Sequence, residues 1–384
     1  MKKMISVCLS LAFALSLLGA PCARAEDELT VALMMTNGAW GNYVCYPQIE
    51  GSTDEKIQSI NQAITQTAEI EKYLNLLPTL DENSVGLRVR TEYSLRGGIL
   101  SVLISAEGKM PRGRPGQKNY AMMFDTLTGE KIALGDLLSD PEAGVSRLEE
   151  LLDTDVSAIL STYMENDQLL PIPTENFTVL HDALLLCYDA DQLTFLSGDS
   201  GAVSFRLYEL SDILDVGEGS VIARLSKPAP EDVRAAIAAD ANAGRLPGLS
   251  LRPDVNVALH ASFDAAAALL RNTIDPSEYS GEMLFEMEDP FLRGTYLLTD
   301  ADGAAIIGLV SGRLDFYGIQ TGVTARDEWR AILGEPTETE TRDECEANKG
   351  YIEPVENDVY AFDSGNTLTL SADENGILRF VILQ

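Results

Sequence analysis

The sequence predicts an α+β fold of two modules, each a mainly antiparallel sheet packed against helices. Short runs rich in apolar and β-branched residues lie between turn residues, which is typical of strands. Other stretches carry apolar residues every three to four positions and predict helices, but they do not alternate regularly with the strands as in a parallel sheet. A Pro- and Ala-rich segment at residues 226–254 divides the chain of 384 residues. We therefore expect an export signal at 1–25, a first module at 26–225, a linker at 226–254 and a small second module at 255–384.

The N-terminus has the pattern of an export signal. Two lysines precede an apolar run at residues 5–18, and Ala23 and Ala25 are small residues at the positions that a signal peptidase reads. We predict cleavage after Ala25, which makes the protein secreted or associated with the cell envelope. Lipidation at Cys22 is the less favoured alternative, because Pro21 precedes it where a lipobox has a small residue.

The chain is strongly acidic, and its charge limits its partners. The net charge is −32, and loss of the signal, with its three cations and no acid, would deepen it to −35. Such a surface repels nucleic acid and anionic membranes and favours basic partners. We expect no nucleic-acid partner and no membrane span in the mature chain. The charge is equally consistent with simple solubility.

The first module is predicted to begin with a strand and a long amphipathic helix. The helix at residues 52–77 has Ile57, Ile60 and Ile64 on one face, and Ser52 with Glu55 matches a capping box. The run NYAMMFDTLTGEKIALGDLL at residues 119–138 predicts a buried strand, a turn, a short second strand and the start of a helix. We predict strands at 43–49, 86–95, 99–106, 120–125, 177–189 and 202–208, and a second helix at 141–164.

The alternation in the last of these strands predicts one buried and one solvent-exposed face. Val203 and Phe205 would lie on the buried face, while Ser204 and Arg206 would lie in solvent.

The linker and the second module follow. Residues 230–243 predict a spacer helix whose small side chains would not anchor a core. Thr324 and Gly334 bracket the best-signalled helix, at residues 324–333. We predict another helix at 263–271 and strands at 295–298, 304–309, 313–317, 358–363, 367–372 and 377–383.

Residues 40–215 resemble a family of bacterial exported domains. That family occurs beside peptidoglycan deacetylases and in the outer part of lysozyme-sensing anti-sigma factors. The resemblance implies an α+β binding domain, which in some members binds lysozyme. It rests on Tyr46-Pro47-Gln48-Ile49, Lys56-Ile57, Asn61, Tyr93, the 119–138 run, Phe177, Leu184-Leu185, Tyr188 and the Leu207-Tyr208-Glu209-Leu210 segment.

The same family often has a histidine-containing loop before the strand that begins at Tyr120. Here a basic loop at residues 109–118 replaces it, so the ligand implied by the resemblance does not transfer directly. The loop would contact an anionic wall polymer or an acidic protein face, or its cations would simply offset neighbouring acids. The candidate ligand contacts are Lys109, Arg112, Arg114 and Lys118.

Residues 318–384 resemble a second, smaller class of module. The run 318–324, Trp329 and the residues 333–336 are similar to repeats of β-lactamase-inhibitor-protein-like domains and small outer-membrane-assembly lipoproteins. The resemblance implies a protein-binding module.

Catalytic and metal-site signals are weak. The Gly-Asp-Ser-Gly sequence at 198–201 matches the nucleophile motif of trypsin-like proteases, but the chain has two histidines and lacks the motif's usual Ala-Ala-His-Cys. We expect His181 and His260 to be surface or capping residues, and the Asp-rich residues 300–303 to form a hairpin turn. Cys45 and Cys187 would be buried free thiols or a single disulfide.

We therefore expect a secreted, non-enzymatic envelope protein without a cofactor or a metal. It would bind or sense a protein, for example a lysozyme-like one, or a ligand derived from the cell wall, such as a wall polymer. The alternative is a wall- or carbohydrate-active hydrolase that uses acidic residues.

Overall fold

The computed structural model describes residues 29–80, 86–109, 115–160, 171–188, 201–226, 230–249, 257–263, 283–286, 294–300, 305–342 and 355–384. The predicted export signal with Cys22 lies outside these residues, as do residues 264–271 of a predicted helix and residues 301–303 of a predicted turn. Arg112, Arg114 and residues 198–200 also lie outside them.

The described helices and strands give an α+β protein, as the sequence predicts. The helices are α1 (Glu55–Thr67), α2 (Ile70–Leu76), α3 (Pro141–Leu160), α4 (Val221–Leu225), α5 (Val233–Asn242) and α6 (Arg326–Leu333). The strands are β1 (Thr30–Asn37), β2 (Tyr43–Glu50), β3 (Arg88–Arg96), β4 (Ile99–Lys109), β5 (Pro115–Asp125), β6 (Phe177–Leu180), β7 (Ala183–Cys187), β8 (Ala202–Arg206), β9 (Met283–Glu286), β10 (Thr295–Thr299), β11 (Ile306–Ser311), β12 (Asp315–Phe316), β13 (Ile319–Gln320), β14 (Glu338–Arg342), β15 (Val355–Ala361), β16 (Thr367–Ala372) and β17 (Leu378–Leu383). None of the helices in this part of the chain is long and apolar enough to cross a membrane.

The first module is built in four layers. A five-stranded sheet, in the order β1-β2-β3-β4-β5, packs on one face against α1 and α2. Its other face packs against a three-stranded sheet of β6, β7 and β8, which in turn packs against α3. The period of two along β4 explains this arrangement, because Val102 and Ile104 face the helices while Leu103 faces the second sheet.

Several local expectations in this module are wrong, among them the single strand at 177–189, which is the β6–β7 hairpin. The predicted single helix at 52–77 is broken at Glu69, which adopts a left-handed conformation with φ of 51° between α1 and α2. The N-cap of α1 is Asp54, whose side chain accepts from the backbone N–H of Lys56, whereas Ser52 accepts from Asp54 one turn earlier. Strand β1 was not predicted and pairs antiparallel with β2.

The 119–138 run folds largely as predicted. It supplies part of β5, and Gly129 closes the turn with φ of 84° while its N–H donates to the Asp125 carbonyl at 2.7 Å. The predicted short second strand is reduced to one bridge between Phe124 and Lys131. A 3-10 helix at Leu134–Leu137 then leads to α3, which begins at Pro141.

The second module is a seven-stranded antiparallel sheet in the order β14-β15-β16-β17-β11-β10-β9, with helices on one face. Trp329 and Leu333 of α6 are buried in its core, as predicted. Helix α5, predicted as a spacer, also packs here, because Ile237 and Ala241 are fully buried in the same core. The prediction that its side chains are too small to anchor a core is therefore wrong.

Candidate functional site

The described parts of the two modules meet along a cleft of about 600 Å³, which we call the inter-module cleft. This volume is typical of ligand sites. The first module contributes Arg147 of α3 and the residues that follow β8, and the second contributes the turn after β13 and the start of β17. The cleft is lined by Arg147, Tyr208, Glu209, Ser211, Asp212, Gly312, Thr321, Gly322, Val323, Arg379 and Phe380.

The wall from the first module is a short 3-10 helix, Leu207–Leu210, at the end of β8. The Glu209 carboxylate accepts from the backbone N–H of Arg206 at 2.8 Å, and this bond fixes the turn out of the strand. Leu210 is fully buried in the core and anchors the other end of the helix. These two anchors direct Tyr208 and Glu209 toward the second module.

The second module is held to this helix by three side-chain contacts. Arg313 donates to both carboxylate oxygens of Glu209, from Nε at 2.8 Å and from Nη2 at 2.5 Å. The Tyr208 hydroxyl lies 3.0 Å from Oγ1 of Thr321. Burial raises the pKa of Tyr208, so its hydroxyl stays protonated and available as a donor. A paired, bidentate contact of this kind fixes orientation as well as distance.

Arg206 lies next to this contact. Its burial shows that the prediction of a solvent-exposed face on β8 is wrong. Ser204 and Arg206 are both buried, since this face packs against the five-stranded sheet. Arg206 donates to the carbonyl of His181 at 3.1 Å. Burial, and then the nearby Arg313 charge, lower the pKa of Arg206. Glu209 therefore lies close to both Arg206 and Arg313, and its negative charge offsets theirs.

The cleft also contains exposed apolar side chains beside paired charges. Val323 is 57% exposed and Phe380 is 42% exposed. Arg147 lies 3.4 Å from Asp212, and Arg379 lies 2.9 Å from Asp373. Aromatic and arginine side chains, which line this cleft together, are both enriched in protein–protein interfaces.

The predicted basic loop is shorter than expected and lies on the β4–β5 hairpin. Both strands continue past their predicted ends, and Lys109 pairs with Pro115 in the ladder. The Nζ atom of Lys118 lies 3.0 Å from Glu69 and 4.7 Å from the ring centroid of Tyr120. Lys118 is thus engaged within the molecule, and its role as a ligand contact stays a prediction, as do those of Lys109, Arg112 and Arg114.

The two histidines occupy different environments. His181 forms, with Asp182, the two-residue turn between β6 and β7, and both have positive φ, as a type I′ hairpin requires. Its Nε2 lies 3.2 Å from the buried Glu92 carboxylate, so it is a partly buried, paired residue and not the surface or capping residue that was expected. His260 is exposed, as predicted.

The cysteines and the potential metal ligands form no site among the described residues. Cys45 and Cys187 are both buried and free, and burial raises the pKa of each thiol. Cys345 lies outside the described residues. In the part of the chain that the structure describes, no three His, Cys, Asp or Glu side chains are grouped so that they could hold a metal ion.

Comparison with known structures gives several distant neighbours, among them two DUF3298 family proteins. A DUF3298 family protein from Bacteroides fragilis NCTC 9343 is 14% identical, with a TM-score of 0.35, over 52% of this chain and 98% of that one. A DUF3298 family protein from Pseudomonas aeruginosa PAO1 is 12% identical, with a TM-score of 0.34, over 49% of this chain and 95% of that one. No family model matches the sequence, and no curated protein matches it. Both neighbours are bacterial proteins from a family of unknown function. At these scores, fold and function have to be argued from the chain's own residues.

Sequence reasoning identified parts of this site without recognising it. The Leu207-Tyr208-Glu209-Leu210 segment was singled out as a family motif, yet its role as the docking point for the second module was not predicted. The contact between Glu209 and Arg313 joins residues 104 positions apart, so no local pattern signals it. Phe380 is exposed in β17, whose sequence and burial do not alternate, so no local pattern marked it either.

Proposed function

We propose that this chain is a secreted, non-catalytic bacterial envelope protein that binds a protein ligand at the inter-module cleft. The observation that carries the proposal is that two exposed apolar side chains, Val323 and Phe380, line the same cleft as Arg147 and Arg379. Apolar surface of this kind gains stability when a partner covers it. The concave shape lets a protruding segment of the partner enter.

The acidity of the chain supports a basic partner. With a net charge of −32, the surface attracts a basic protein at long range and speeds its encounter, while the apolar cleft supplies the short-range contact. A basic hydrolase of the lysozyme type has the required charge. Asp212, which is 56% exposed at the cleft, offers such a partner a carboxylate that remains accessible beside Arg147.

The carboxyl groups support binding over hydrolysis. A general acid at neutral pH needs a raised pKa. Glu69, Asp125, Asp358 and Asp373 all have pKa values shifted downward. Hydrogen bonds from Arg224 lower the pKa of Asp125, and backbone N–H donors lower that of Asp373. These four groups act as ion-pair and hydrogen-bond partners in the fold, and their lowered pKa values make them poor general acids.

Capture on immobilised lysozyme tests the proposal. The chain should be retained at low salt and released progressively as salt rises, because exposed charges are screened over about 8 Å at physiological ionic strength. Albumin-coated resin is the control for a partner of acidic charge. Absence of retention at both low and moderate salt would refute a lysozyme-like ligand. Hydrolysis of purified peptidoglycan by the chain would favour the hydrolase alternative instead.

A further inference from the structure

The outer strand of the five-stranded sheet has the properties of an interface. β1 lies at the end of the sheet and pairs with β2 along its whole length, from Thr30 opposite Glu50 to Asn37 opposite Tyr43. No other described strand pairs with its opposite edge. An edge strand of eight residues therefore presents a row of backbone donors and acceptors that another strand can pair with.

Both faces of β1 expose large apolar side chains. Leu33 and Met35 lie on one face and are 48% and 60% exposed, and Met34 lies on the other face and is 41% exposed. The nearby Trp40 is 67% exposed. Natural edge strands are usually protected by lysine, proline or a bulge. β1 contains neither residue, and its register with β2 is continuous.

The charge distribution indicates what covers this edge. From Leu29 to Ile49 the chain contains no Asp, Glu, Lys, Arg or His, although it has 60 acidic and 28 basic residues overall. Along this run a charged ligand finds no complementary side chain, and the charged residue Glu50 lies only at its end, opposite Thr30. The matching partner is an uncharged, apolar, extended segment, and β1 itself is such a segment.

We propose that β1 pairs antiparallel with β1 of a second copy across a two-fold axis, which joins the two five-stranded sheets into one. A two-fold axis makes the pairing antiparallel and self-complementary, so each copy offers the same strand and receives the same strand. The exposed side chains of both faces, from Leu33 to Met35, then pack against their counterparts. The uncharged run keeps the repulsion between two acidic chains weakest where they touch.

Salt distinguishes this interface from the basic-ligand site. Two copies that are each strongly negative repel one another, and salt screens this repulsion. Self-association should therefore strengthen with rising salt, whereas capture of a basic protein should weaken. The two surfaces are separate in the structure, so failure of one proposal leaves the other testable.

Analytical ultracentrifugation of the mature chain between about 1 and 100 µM, at low and at moderate salt, tests the proposal. The chain should sediment as a dimer at the upper concentrations, with a dissociation constant that falls as salt rises. A variant with Leu33→Lys and Met35→Lys should be monomeric over the whole range, with dimer affinity lowered at least ten-fold. The matched control carries Leu127→Lys and Val216→Lys, two side chains that are 62% and 66% exposed away from β1, and should still dimerise.

Cysteine cross-linking is a second test of the proposal, and it does not depend on destabilising the strand. The residue on the axis faces its own copy at about 5 Å, within reach of a disulfide. Oxidation of separate Leu33→Cys, Met34→Cys and Met35→Cys variants should give a covalent dimer for at least one of them, above the level of the unsubstituted chain. A monomeric parent chain at every concentration and salt, or no cross-link above that level, would overturn the proposal.

Discussion

Glu209 is the side chain on which the junction between the modules depends most. Replacing it with alanine removes both bonds from Arg313 and the acceptor for the Arg206 N–H. It also removes the negative charge that offsets two arginines, one of them buried. The side chains of Glu209 and Arg313 are 23% and 20% exposed, so the pair is intermediate between a surface ion pair and a buried one.

The expected loss of stability follows from this intermediate exposure of the ion pair. Surface pairs contribute about 0–1 kcal/mol, and breaking a buried pair costs about 3–5 kcal/mol. We expect Glu209→Ala to lower the free energy of unfolding by about 2–3 kcal/mol. With the slopes usual for urea, the midpoint of unfolding falls by roughly 1 M. Urea unfolding followed by far-UV circular dichroism measures this shift.

Two further variants separate the causes. Glu209→Gln keeps an oxygen acceptor for the Arg206 N–H but removes the charge, so its midpoint should lie between those of the parent and of Glu209→Ala. Glu218→Ala removes an exposed acid in the same region and should leave the midpoint within about 0.2 M of the parent. If Glu209→Ala behaved like Glu218→Ala, the ion pair would not hold the junction together.

Three other predictions concern the packing of each module. Asp358→Asn should lower the free energy of unfolding by about 3 kcal/mol and the melting temperature by roughly 10 °C, because the fully buried carboxylate accepts from two arginines and the tryptophan of α6. Differential scanning calorimetry measures the melting temperature, and an unchanged value would contradict the prediction. The hydrogen bond from Tyr120 lowers the pKa of Glu69 from its usual 4.5 to about 2, so the stability that Glu69 contributes is fully present above pH 4.5 and is lost as the pH falls toward 2. As the pH falls through that window, the urea midpoint should fall less steeply for Glu69→Gln than for the parent chain. Parallel falls for the two chains would refute the role given to Glu69. Gly129→Ala should lower the free energy of unfolding by about 1–3 kcal/mol, because φ is 84° and the new Cβ would lie 2.8 Å from that of Lys56. A urea midpoint equal to that of the parent would show that the turn relaxes.

Elements with complete local signals were predicted well. β16 was expected at 367–372 and is Thr367–Ala372, because it alternates clearly and is bounded by turn residues on both sides. α6 lies within two residues of its prediction and ends at the Gly334 cap as expected, although its N-cap is Ala325 and not the predicted Thr324.

The elements that were missed depend on context that the sequence does not carry locally. Nothing in the helical pattern signals the left-handed Glu69, because a non-glycine residue reaches that conformation only where the surrounding packing holds it. β1 shows no alternation of buried and exposed residues, because most of it is exposed on both faces. The burial of Ser204 and Arg206 follows from a second sheet covering a face that looks polar in sequence.

The inter-module cleft could not be predicted for the same reason. Its lining comes from segments of both modules that are adjacent only after folding. The sequence identified the acidity of the chain and the Tyr208-Glu209 segment, but not their meeting with Arg313, Thr321 and Phe380. Composition therefore indicated a class of partner, and only the structure indicated where that partner would bind.

Isothermal titration of lysozyme into the parent chain, Phe380→Ala and Leu127→Ala at low salt tests binding at the inter-module cleft most directly. Leu127 is 62% exposed and lies outside the cleft, so its variant is the matched control. If the cleft binds the ligand, Phe380→Ala should lose about 2 kcal/mol of binding free energy, roughly a 30-fold rise in Kd, while Leu127→Ala keeps the parent affinity. Equal affinity for all three chains, or no binding heat with the parent, would contradict it.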